Sequence, residues 1–111
     1  LEHLDAESNL VVPPVGACDL AMCYTGRAMG NIVPPGTVVL LKAVDRDAII
    51  PGGEYVIVCR KIVTLRIVRA ADEEGKVRLV AGGRENYDDI VLNVNDIVSV
   101  YKVKGKLIIN S

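Results

Sequence analysis

The stretch Leu20–Leu41, LAMCYTGRAMGNIVPPGTVVLL, decides how the chain must be organised. Two apolar runs of strand-like composition flank a knot of turn residues, Gly26, Gly30 and Pro34-Pro35-Gly36. In the first run Leu20, Met22 and Tyr24 fall on one face and Ala21, Cys23 and Thr25 on the other, the two-residue period of a strand. Arg27 to Ile32 is too short for a substantial helix, and one helical turn is expected there. Proline and glycine then turn the chain, and Thr37 to Val44 reads as a second strong strand.

Downstream, a polar Asp45-Arg46-Asp47 and a Pro51-Gly52-Gly53 turn lead to two apolar runs, Glu54 to Cys59 and Ile62 to Arg69. Only Arg60-Lys61 separates them, so they form a hairpin. Ala71 to Gly75 connects to a short strand, Lys76 to Ala81, and Gly82 to Asp89 is loop. Ile90 to Leu92 and Ile97 to Val103 are strands, and Lys104-Gly105 is expected to turn the chain into Lys106 to Ile109 as a final hairpin. Upstream, Leu10 to Val15 is broken by Pro13-Pro14, which suits an edge strand or an extended lead-in. The expected organisation is a polar arm over residues 1–9 and one domain over 10–111. A core of Val, Ile, Leu and Ala without Phe or Trp favours pleated structure. The fold class is all-β, a small folded-over sheet or barrel-like domain.

Thirteen basic residues against fourteen acidic leave a formal charge of −1, which supplies no general field for nucleic acid. Cys18, Cys23 and Cys59 are odd in number and form no CxxC pair, so they read as reduced, buried apolar fillers in a cytoplasmic protein. His3, the only histidine, lies in the arm without metal-ligand partners. Asp45/Asp47, Glu73/Glu74 and Asp88/Asp89 fall in loops, where carboxylates are solvated. Gly52-Gly53 and Gly82-Gly83 open no helix followed by Lys-Ser/Thr and are not phosphate loops. No cofactor or metal is expected. No apolar run reaches the roughly 18 residues of a membrane span, and no signal peptide is visible. From the residues alone, the chain reads as a scaffold or binding domain.

A resemblance adds to this. Asp19-Leu20-Ala21-Met22, Gly26-Arg27-Ala28-Met29 and Pro35-Gly36-Thr37-Val38-Val39-Leu40, in that order, resemble the C-terminal domain of LexA, UmuD and phage repressors. These are self-cleaving serine–lysine peptidases related to signal peptidases. Gly53 to Val58 is similar to the family's next strand, and Leu65-Arg66-Ile67-Val68-Arg69 to its Lys-Arg segment. Val77 to Val80 with Glu85-Asn86-Tyr87 resembles a later segment. The family's serine falls on Ala28, between motif neighbours Gly26 and Met29, and its lysine on Leu65 or, with a one-residue shift, on Arg66. Leucine accepts no proton and arginine stays protonated, so both halves of the dyad are missing. Thr25 and Ser99 are the available substitute hydroxyls, and Gly16-Ala17-Cys18-Asp19 does not reproduce the family's Ala-Gly or Cys-Gly cleavage site.

The resemblance implies a LexA-like fold serving as the dimerisation or regulatory half of a LexA-like or phage-type repressor, without autopeptidase activity. It also implies a homodimer, an SOS-like setting, and DNA contact only through a helix-turn-helix upstream of Leu1. A RecA-like or antirepressor protein partner and a cytoplasmic, membrane-free location go with it. Self-association is expected at the final hairpin through Val98, Val100, Leu107 and Ile109. Two other readings stand beside it: an active self-cleaving peptidase using a substitute residue, and an unrelated small β-barrel binding module.

Overall fold

The computed structural model describes residues 18–83 and 87–108. The arm over 1–9, His3, the Leu10–Val15 lead-in and Ile109 lie outside the described residues. Among the described residues seven strands run in chain order: β1 (Leu20–Tyr24), β2 (Thr37–Val44), β3 (Glu54–Cys59), β4 (Val63–Ala70), β5 (Lys76–Val80), β6 (Ile90–Asn93) and β7 (Ile97–Leu107). They make one curled antiparallel sheet in the order β1-β2-β7-β3-β4-β5-β6. The class is mainly β, as the turn spacing and Val/Ile-rich composition require. Among the described residues the only helical segments are single 3₁₀ turns at Arg46–Ala48 and Val94–Asp96.

Strand alternation sorts the core by face. Val39 and Leu41 of β2, Val56 of β3 and Leu65 of β4 pack with Tyr24, Met29 and Val33. Their strand neighbours point the other way: Tyr55, Ile57, Val68, Leu79, Ile97 and Val100 form a second cluster. Ala21, Val38 and Leu40 form a third, against which Leu107 packs. Thr37 to Leu41 is buried throughout, so β2 is covered on both faces. Each fully buried Val, Leu or Ile contributes about 1.5–3 kcal/mol of transfer free energy.

Two expectations are corrected. Arg27–Ile32 forms no helix; it makes successive turns closed by Gly30 N–H to the Arg27 carbonyl (3.1 Å) and Ile32 N–H to the Met29 carbonyl (3.1 Å). Gly30, at φ +55°, takes the left-handed conformation that ends helical continuation. Lys104-Gly105 is likewise no turn. Leu40 pairs with Gly105 and Leu41 with Val103, so Lys104 is the extra residue of a bulge in one continuous strand. Glycine inside an apolar strand marks a bulge as readily as a reversal.

A second irregularity lies on the other side of β7. Val58 pairs with Ser99 and Cys59 with Ile97, which leaves Val98 unopposed. The bulge pushes that side chain outward, and Val98 is 64% exposed. The expected self-association hairpin is therefore a central strand between β2 and β3, with no free backbone edge. Val100 is core at 1% exposure, and Leu107 packs on the third cluster. Val98 alone of the described candidates presents itself to solvent.

Candidate functional site

The segment between β1 and β2 doubles back over the sheet and is held by backbone contacts. The Ala28 carbonyl accepts two hydrogen bonds, from Gly82 N–H (2.9 Å) and Gly83 N–H (3.0 Å). The approach leaves no room for side chains: a Cβ on Gly30 would sit 2.6 Å from Gly83 Cα, and one on Gly83 would sit 3.1 Å from Gly30 Cα. Glycines at both points are what let the two backbones touch. At the far end of the segment Lys106 Nζ donates to the Ile32 carbonyl (3.2 Å) and pairs with Glu54 (2.8 Å). Gly36 N–H donates to the Tyr24 carbonyl (2.7 Å), and the Thr37 hydroxyl donates to the Pro34 carbonyl (2.7 Å).

The result is a cleft of about 480 Å³ between two walls. One wall is the run from Met22 to Ala28; the other is Val63, Thr64 and Leu65 at the start of β4, with Tyr87. Ala28 and Leu65, far apart in the sequence, thus line one cavity. Ala28 is 8% exposed and Leu65 2%, so each has an apolar side chain against the core rather than a reactive atom. Gly26 and Thr25 line the same wall, while Met29 is wholly buried in the first cluster. Arg66 is not a lining residue; of the two positions that a register shift leaves open for the lysine, Leu65 faces the cleft.

The aliphatic hydroxyls and thiol on the cleft's described lining are those of Thr25, Thr64 and Cys23. Among the described residues its lining contains no histidine, lysine or carboxylate to take their proton. Ser99 lies on β7 opposite Val58 and outside the lining. Among the described residues no group of three or more His, Cys, Asp or Glu is placed to hold a metal ion. None of the described helices is long and apolar enough to cross a membrane.

The cysteines differ in environment. The expected burial is corrected: Cys18, just before β1, and Cys23, on this edge strand of the sheet, are exposed, whereas Cys59 is partly covered. Burial first, and then the Asp96 carboxylate, push the Cys59 thiol above its ordinary range. An acid raised in the folded state ionises first in the unfolded chain. Its contribution to stability is therefore present below the ordinary thiol range and is lost as pH rises from that range through the raised folded value. Iodoacetamide at mildly alkaline pH is expected to alkylate Cys18 and Cys23 before Cys59, as read by peptide mass; earlier modification of Cys59 would contradict this placement.

A scan against family models gives no match for the chain, and a search of the curated proteins gives none either.

Proposed function

We propose that this chain is a non-cleaving regulatory domain of the LexA-like or phage-repressor type that self-associates. The observation that carries the reading is the meeting of Ala28 and Leu65 in one cleft whose described lining holds no histidine, lysine or carboxylate. These are the positions where the resemblance sets a serine and its lysine base, so the cleft has the seat of a dyad without its chemistry. In this reading DNA is contacted through an upstream helix-turn-helix, in the cytoplasm, with induction left to a RecA-like or antirepressor partner.

Self-association is proposed through the face around Val98. The bulge sets this valine beside Ile62, which is 40% exposed, in a groove that also holds Arg60, Lys61 and Asp96. A two-fold contact there buries the apolar pair and sets the basic residues of one copy against Asp96 of the other. Two-fold symmetry is what matched DNA half-sites require.

Light scattering on the 111-residue chain at high micromolar concentration is expected to give a dimer mass, and Val98→Glu a monomer with unchanged circular dichroism. A monomeric wild type would remove the self-association half of the proposal. Incubation at alkaline pH is expected to leave the mass intact, and a discrete cut would favour the active-peptidase reading.

A further inference from the structure

Among the described residues Arg66 is the buried charged side chain. It sits on β4 opposite Tyr55 and is only 9% exposed. Its Nε donates to the Thr64 hydroxyl at 3.2 Å, and its Cζ lies 5.7 Å from the centre of the Tyr87 ring. Its Nη1 is buried with no hydrogen-bond partner. The ion pairs among the described residues are made by Lys42, Lys76, Arg78 and Lys106, and none by Arg66. A guanidinium cannot shed its proton to escape burial, so an unpaired one stays in the interior at a cost that an aromatic face offsets only in part.

Thr64 and Tyr87 both touch this guanidinium, and both line the cleft. The charge therefore lies directly behind the cleft wall. In front of that wall, the described lining residues carry one further cation, Arg27, and no carboxylate. Met22, Ala28 and Leu65 supply apolar surface beside it.

We propose that the cleft takes a ligand bearing a carboxylate, with the Arg66 guanidinium as its counter-charge and Arg27 at the mouth. A carboxylate matches the planar fork of a guanidinium and satisfies the orphaned Nη1. The apolar wall takes the rest of the ligand, and about 480 Å³ lies within the usual range of small-ligand sites. Entry requires the Tyr87 ring, 38% exposed, to turn aside from the guanidinium. The carboxylate belongs either to a free organic acid or to a peptide terminus, and both present the same group to Arg66. The proposal rests on the cleft and not on self-association, so a monomeric protein that binds such acids leaves it standing.

The test is an ¹⁵N-shift titration of the whole chain with 3-phenylpropanoate and with N-acetyl-tetraalanine, each beside its neutral amide. Shifts centred on Ala28, Thr64, Leu65 and Tyr87 are expected, with at least one acid binding roughly tenfold or more tightly than its amide. The tighter of the two acids identifies the source of the carboxylate. Arg66→Gln is expected to remove the preference for acid over amide, and Arg66→Lys to keep part of it. The acid–amide comparison in the wild type needs no variant to fold. Equal binding of acid and amide, absence of binding by either acid at millimolar concentration, or a preference that survives in Arg66→Gln would each overturn the proposal.

Discussion

Gly30→Ala is expected to destabilise the domain by about 3 kcal/mol and to lower its melting temperature by roughly 12 °C. Two costs add. At φ +55° a Cβ is strained by about 1–2 kcal/mol. That Cβ would also stand 2.6 Å from Gly83 Cα, a contact with backbone that no side-chain rotation relieves. Gly75→Ala separates the two, because Gly75 has a similar φ of +79° but nothing within 4 Å of the added carbon. It should therefore show the strain alone, about 1–2 kcal/mol. Urea unfolding of the two variants reads the difference. If they are equally destabilised, the contact between the Ala28–Gly30 turn and Gly82-Gly83 contributes nothing to stability.

Leu65→Lys is expected to cost about 3–5 kcal/mol at neutral pH, since it sets an ammonium among Tyr24, Met29, Val33, Val39, Leu41 and Val56. The loss should shrink as pH rises. Burial depresses the lysine in the folded state below its unfolded value of about 10.4. Between the two values the unfolded chain holds more protons, so stability relative to wild type recovers with increasing pH. Leu65→Met, which keeps volume and polarity, should cost less than about 1.5 kcal/mol at every pH. A pH-independent loss in Leu65→Lys would mean that the side chain escapes to solvent through the cleft. The pH-dependent outcome would instead place an amine able to take a proton opposite position 28.

The strands were largely legible because their composition is unambiguous. Thr37–Val44 and Glu54–Cys59 have the bounds that their flanking turns suggest, and β4 is displaced by one residue from the expected run. What the sequence hid were events across the sheet. Lys104-Gly105 has the look of a reversal, and only its pairing partners, Leu40 and Leu41, reveal a bulge. Val98 and Val100 have the same side-chain chemistry and adjacent places on one strand face, yet the register shift at Val58/Cys59 sends one to solvent and leaves the other in the core. For the site, local pattern offered no means of bringing Ala28 to Leu65; the resemblance suggested the pair, and chain folding sets both on one cavity. The burial of Arg66 had no signal, since a charged residue in an alternating strand ordinarily faces water. In sequence Gly82-Gly83 shows only that it lacks a phosphate-loop pattern, whereas its use is to let one backbone lie on another.

The position of β7 has a kinetic consequence. It follows every other strand in the chain but lies third in the sheet, between β2 and β3. Before it is in place, β1–β2 is one local ribbon and β3 to β6 a separate meander, with no ladder joining them. Val38 must find Leu107, and Val44 must find Val100, so docking β7 gathers in most of the domain as closed loops. Such non-local pairing makes for slow folding. A nascent chain that has made only β1 to β6 carries two half-sheets with open edges, where Val39, Leu41 and Val56 lack their final cover. That interval, rather than any weakness of the finished sheet, is when this protein is most exposed to aggregation.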